Sequence, residues 1–386
     1  MTLREIIEQE IRELGPVPFS RYMESCLYHP ELGYYSRNAE QFGKAGDFFT
    51  SSDVHAVFGR LLARQFEEMW RALGSPAQIE ILELGPGRGL FAQDVLDWAE
   101  KKFPEFFCAL HYSLAEKSPA LRARIEQTLG RHLEGGKAAL VGPTSVVPDQ
   151  AGVQRALSPE VPVIVFANEF FDAIPVEVLS NHGTLRVSAA AGRFVETWSA
   201  PSRGELEFLD RHSVHPEPGE RLEAPLAAQQ AMSDIAATVH RGFLVAIDYG
   251  YTRNEQLAGR HRGTLKAIRQ HSVSANPYEA PGEQDITADV NFTSLTAAAQ
   301  QAGMATHPLR TQSQFLMGIG ESNQFADAFE ECRLPQERAK VALQLKHLVT
   351  PAGMGESFHV LIASKGVEPE RVESLSGLSF GRRDLE

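Results

Sequence analysis

The sequence predicts an α/β fold built on a mostly parallel, doubly wound sheet. Three observations lead there. From residue 78 onward, apolar runs of strand length alternate with segments of helical period. The run 161–167 is nearly all apolar and rich in β-branched residues, as expected of a strand buried on both faces. A glycine-rich turn, Gly85-Pro86-Gly87-Arg88-Gly89, joins the first of these strands to the first of these helices.

Taken in order, Leu3, Ile6, Ile7, Ile11 and Leu14 have helical spacing, and Gly15-Pro16 ends that helix. A short helix over 19–27 follows, then a Gly- and aromatic-rich stretch over 32–50. A longer helix over 54–73 stops at Gly74 and Pro76. Strands are expected at 79–84, 109–115, 138–141 and 161–167, with helices at 90–102 and 119–132. Residues 176–199, punctuated by Gly183 and Gly192, read as an antiparallel meander inserted in the sheet. A helix at 223–240 and a strand at 242–247 restore the α/β rhythm. Residues 251–289 are polar and Gly/Pro-rich, and read as a long loop or lid. A late strand covers 358–363, and the polar tail after Gly366 should fray. The division is thus an N-terminal helical, aromatic-rich extension over 1–75 and a main domain over 76–366. That domain carries insertions at about 176–222 and 251–290, and a tail covers 367–386.

A chain of 386 residues, 43% hydrophobic, can bury a core without disulfide or metal staples. The net charge of −13 disfavours a nucleic-acid substrate. Cys26, Cys108 and Cys332 are widely spaced and form no Cys-x-x-Cys, which argues against a disulfide framework or a cysteine zinc site and suits a reducing compartment. The histidines show no metal spacing, so no metal is expected. No run approaches the roughly 18 apolar residues that span a bilayer. The first residues, Met1 to Glu8, carry acids and no apolar signal core, so a cytoplasmic location is expected.

The glycine turn carries the first chemical signal. Glycines let the chain turn sharply and bring backbone close to a ligand at a helix start. A dinucleotide fingerprint would need glycine where Leu90 stands, and no Gly-Lys-Ser/Thr follows for a nucleoside triphosphate. The turn is instead G-x-G-x-G behind an acid, Glu83. The next predicted strand ends at Glu116, where a carboxylate can accept hydrogen bonds from both ribose hydroxyls. Glu83, Gly85, Gly87, Gly89 and Glu116 together favour S-adenosylmethionine over NAD.

The second signal is Asn168-Glu169-Phe170-Phe171-Asp172, at the end of the buried strand and over the same crevice. Asn168 and Asp172 could simply cap a helix. Glu169 is harder to explain that way, and a functional role is the better reading. Asp248-Tyr249-Gly250 ends another strand nearby, while Arg262, His271, Asp285 and Asp289 fall in the lid, where internal hydrogen bonding explains them as well.

These segments resemble the MidA-like protein arginine methyltransferases, whose mitochondrial members are assembly factors of respiratory complex I. The likeness spans about 15–365. It rests on Tyr22-Met23, Leu32-Gly33-Tyr34-Tyr35, Gly46-Asp47-Phe48-Phe49-Thr50-Ser51, the Glu83–Gly89 turn and Asn168 to Val176. Further matches are Ile247-Asp248-Tyr249-Gly250, Arg262-Gly263-Thr264-Leu265, Asp285 to Phe292, and Gln314-Phe315-Leu316. The glycine motif is common to many methyltransferases; the Gly-Asp-Phe and Asn-Glu-x-x-Asp segments in this order are far more specific.

The resemblance implies a class I methyltransferase fold with a seven-stranded sheet, and the lack of a transit segment reads as a bacterial member. It also implies an acceptor arginine on a partner protein, in mitochondria a complex I subunit. Glu169 and Asp172, with Asn168, are then the candidate acceptor clamp. Asp47 could join them or touch the cofactor, and Thr50 lies beside it. A small-molecule methyltransferase and a non-catalytic cofactor-binding assembly factor are the alternatives.

Overall fold

The computed structural model describes residues 1–37, 56–141, 160–212, 214–259, 263–269, 272–274 and 276–380. Its strands are β1 (Val17–Pro18), β2 (Ile79–Leu84), β3 (Leu110–Ala115), β4 (Ala138–Leu140), β5 (Val163–Asn168), β6 (Glu177–Ser180), β7 (Gly183–Ala190), β8 (Arg193–Ser199) and β9 (Leu222–Ala224). After them come β10 (Gly242–Tyr251), β11 (Lys266–Arg269), β12 (Ser272–Ser274), β13 (Asp285–Thr287), β14 (Val290–Asn291), β15 (Ala305–Thr306), β16 (Arg310–Thr311) and β17 (Phe358–Lys365).

The main sheet runs β15-β17-β10-β5-β2-β3-β4, seven strands on one path, with β14 and β16 pairing as two-residue branches. From β10 to β4 every pairing is parallel, and β17 runs antiparallel to β10. The chain leaves β2 toward β3 and β4, then returns to its other flank as β5. The strand order therefore reverses between β2 and β5, where doubly wound sheets open a ligand crevice.

Alternate side chains of the central strands serve opposite layers. Ile81, Phe166, Phe243 and Val245 join one core with the helices Ala56–Ala72 and Leu90–Lys102. Leu82, Leu84, Val165, Leu244 and Ala246 join the other, with the helices Leu226–Thr238 and Phe292–Gln301. Burial on both faces is why these strands read as nearly unbroken apolar runs. The meander forms a second sheet, in which β1 pairs with β7, β7 with β6 and β8, and β6 with β9. A third core joins that sheet to the N-terminal helices through Leu3, Ile7, Phe19, Tyr22, Val178 and Val187.

Two expectations need correction. Residues 251–289 are not structureless: they hold the helix Arg253–Leu257 and a three-stranded sheet, β12-β11-β13. Strands of three and four residues between Gly/Pro clusters are too short to show a period. Buried Glu223 anchors this lid by accepting Thr264 N–H at 3.1 Å, Thr264 O–H at 3.1 Å and Leu265 N–H at 3.3 Å. The described part of the tail, 367–380, does not fray either. Pro369–Glu373 and Ser376–Ser379 are short helices, and Val372, Leu375 and Leu378 are buried in the first core. Ser376 N–H donates to Glu68 and Gly377 N–H to Gln65, both on the Ala56–Ala72 helix. Three buried apolar side chains among many polar residues gave the tail a polar average but a usable buried face.

Candidate active site

Gly85, Gly87 and Gly89 all have left-handed φ, at +65°, +55° and +76°. L side chains rarely adopt that region, so the turn's path requires glycine. A Cβ on Gly85 would stand 3.1 Å from the Phe170 ring, whereas one on Gly87 would meet nothing within 4 Å. The turn is thus packed at its start and open at its middle, at the N-terminus of the Leu90–Lys102 helix.

Glu116, at the tip of β3, is buried and faces this turn. It accepts Ser118 N–H at 2.8 Å, and the N–H groups of Lys117 and Gly87 also stabilise its charge. Burial still pushes its carboxyl up to about 7. The Tyr112 hydroxyl donates to the Glu83 carboxylate at 2.8 Å inside the sheet, and burial pushes that group up to about 8. Glu83 is therefore tied to β3, which fits support of the loop.

Leu84 of β2 sits in register with Ala167 of β5, so the Asn168–Asp172 segment opens beside the glycine turn. Glu169 has a left-handed φ of +49°, strained for a non-glycine residue. Its neighbours fix that geometry. Glu169 N–H donates to Ile247 O at 2.9 Å, and Asn168 Nδ2 donates to Glu169 Oε1 at 3.2 Å. Asp248 Oδ2 then accepts the N–H groups of Phe170, Phe171 and Asp172 at 3.1, 3.0 and 3.3 Å, and its Oδ1 accepts Tyr249 N–H at 3.0 Å. No helix follows Asp172 directly, so the capping alternative has nothing to cap. Asp248 satisfies the turn's N–H groups instead.

Asp172 is 3% exposed. The Tyr249 hydroxyl donates to its Oδ2 at 2.5 Å, while its Oδ1 has no hydrogen-bond partner among the described residues. Burial pushes its carboxyl up to about 6, against the Tyr249 hydrogen bond. The lid closes on the same turn: Ala288 N–H donates to Asp172 O at 3.1 Å, and Lys266 pairs with Asp289 at 2.8 Å.

The N-terminal helices supply residues that the sequence reading did not single out. Tyr28 O–H donates to Ala173 O at 3.0 Å, Tyr35 O–H donates to Asp285 Oδ1 at 2.9 Å, and the two rings lie 5.4 Å apart. Burial, then the charges of Asp172, Asp285 and Glu116, hold the Tyr28 phenol well above its usual range. Tyr28 therefore feels the charges of acids on both sides of the crevice. Asp285 thus carries more than loop-internal bonding. Tyr34-Tyr35 and Asp248-Tyr249 did stand among the distinctive segments, but nothing local showed what they touch. Asp47, Thr50, Arg262 and His271 lie outside the described residues.

A glycine turn at a switch point, faced by a buried carboxylate, is the arrangement expected of a protein that binds a nucleoside cofactor. The chain belongs to the family described as "Putative S-adenosyl-L-methionine-dependent methyltransferase", whose model matches residues 61–309. It is 29% identical to the mitochondrial protein arginine methyltransferase NDUFAF7 homolog of Drosophila melanogaster, over 98% of this chain and 88% of that one. It is 27% identical to the mitochondrial protein arginine methyltransferase NDUFAF7 of Homo sapiens, over 91% and 80%. The crystal structure of a Burkholderia thailandensis protein bound to S-adenosyl-homocysteine superposes with a TM-score of 0.81 at 28% identity, covering 98% of this chain and 94% of that one. The fold is therefore that of a class I-like methyltransferase, the cofactor is S-adenosylmethionine, and the chain is a methyltransferase. No helix among the described residues is long and apolar enough to cross a membrane.

Proposed function

We propose that this protein methylates an arginine side chain on a partner protein, a respiratory complex I subunit being the first candidate, and that it works in the cytoplasm. One observation carries the acceptor assignment. Asp172 is buried with one oxygen hydrogen-bonded by Tyr249 and the other unpartnered among the described residues, beside Glu169 on a backbone turn held by Asp248. Such an oxygen calls for a cationic, hydrogen-bond-donating guest.

Guanidinium nitrogens are poor nucleophiles while the charge is shared among them. Glu169 and Asp172 would hold the fork, draw charge away from the attacking nitrogen and stabilise the cationic product. Asn168 orients the Glu169 carboxylate through their hydrogen bond. Glu116 would take the ribose hydroxyls, Gly85, Gly87 and Gly89 the close backbone approach, and Glu83 the support of that loop, with Asp47 and Thr50 as further contacts. When bound, the cofactor supplies an activated methyl group for in-line displacement. The protein supplies alignment and water exclusion, the latter from Tyr28, Tyr35 and the lid.

Incubation with labelled S-adenosylmethionine and cell lysate, followed by mass spectrometry, reads both the acceptor and the modified atom. Methylarginine on a protein is expected. Label found only in small molecules would overturn the reading, and so would no transfer despite cofactor binding.

A further inference from the structure

The Asp172–Tyr249 contact has a direction that packing alone does not explain. The Tyr249 ring is held by Phe358, centroids 5.6 Å apart at 66°, and by Lys266 Nζ 5.2 Å above it. Its hydroxyl is therefore aimed, and it meets Asp172 Oδ2. Among the described residues, Tyr249 alone donates to that carboxylate from a side chain. The other groups facing Asp172 are Asp248 on β10, Asp289 after β13, and Tyr28 and Tyr35 from the N-terminal helices. These are acids or phenols; Lys266 brings a positive charge to the same network, paired with Asp289 and standing over the Tyr249 ring.

We propose that Tyr249 is a positioning residue for methyl transfer: it fixes the Asp172 carboxylate so that Oδ1 receives the acceptor, and it favours the ionised form that the acceptor needs. The assignment rests on the reading of Asp172 as part of the acceptor clamp. A hydrogen bond donated to a carboxylate stabilises its charge. Removing the hydroxyl therefore moves the Asp172 titration upward, whereas a purely packing role would leave it in place.

The test uses the full chain loaded with S-adenosylhomocysteine, with Nα-acetyl-arginine amide as the probe. Carbon-13 labelling of aspartate carboxyls follows the titration, and Asp172→Asn assigns the resonance. In Tyr249→Phe the Asp172 midpoint should rise by about one pH unit. Calorimetric affinity for the arginine amide should fall about fivefold at pH 6 and recover most of that loss by pH 8.5. Affinity for S-adenosylhomocysteine should stay within about twofold. Should Tyr249→Phe fail to fold, a fluorinated tyrosine at the same position keeps the ring and donates more strongly, so the midpoint should fall. An unmoved midpoint in either variant, with arginine-amide binding lost in Asp172→Asn, overturns the Tyr249 assignment alone. Native-like arginine-amide binding by Asp172→Asn overturns the acceptor reading, and the positioning assignment with it.

Discussion

At the scale of single residues, the proposed site is built from carboxylates whose environments differ. Glu169 occupies a left-handed conformation that costs a non-glycine residue about 1 kcal/mol. Glu169→Gly should therefore melt no lower than the native chain, and by up to about 1 kcal/mol higher, while losing methyl transfer. A clear loss of stability would contradict this account of the backbone. Glu169→Gln keeps the shape but removes the charge. We expect cofactor affinity within about twofold and transfer reduced about a hundredfold or more. Full activity in that variant would remove Glu169 from the clamp. Gly87→Val forces a β-branched residue into φ +55° at the open middle of the turn. Cofactor binding should become undetectable by calorimetry, and retained micromolar affinity would argue that the ligand approaches elsewhere.

At the scale of elements, what the sequence revealed follows how local each determinant is. The glycine turn was legible because its glycines, strand and helix are contiguous from 79 to 102. So was β5, whose apolar run records burial from both sides. The lid sheet was not, because β11 and β13 are three or four residues long and pair residues 17 to 21 positions apart. Nor was Tyr28, whose partner Ala173 lies 145 residues away. The tail hid its role because only Val372, Leu375 and Leu378 are apolar and buried in a run of polar neighbours. Leu378→Ala should cost about 2–5 kcal/mol by urea denaturation, since its side chain fills a closed core. A loss under about 0.5 kcal/mol would mean that the tail is only loosely held. Glu223→Gln leaves at least one of the lid's hydrogen bonds unmet. It should raise the acceptor KM and spare cofactor affinity.

At the scale of the whole molecule, buried acids couple the site to stability. Glu83, Glu116 and Asp172 are held at about 8, 7 and 6 by burial. Each carries an acid pKa that is higher folded than unfolded, so the native state binds more protons between the two values. Stability contributed by these groups is present at low pH and falls as pH rises, with the window ending near pH 8. The cofactor-free protein should lose a few kcal/mol, to order of magnitude, between pH 5.5 and 8 in denaturant titrations. Glu83→Gln should flatten the upper part of that fall, and a curve unchanged by it would place the titration elsewhere.

The Asn168–Asp172 turn hangs from β10 by the three of its N–H groups that Asp248 collects, and β10 is locked between β5 and β17. One side of the proposed acceptor site thus rests on an interior strand of the main sheet. Tyr28 and Tyr35 sit on short N-terminal helices, and Asp285 on a three-residue strand. Efforts to retarget the enzyme toward a new acceptor should therefore diversify positions 28, 35 and 285 and leave 168 to 172 and 248 untouched. Tolerance to substitution should divide along the same line.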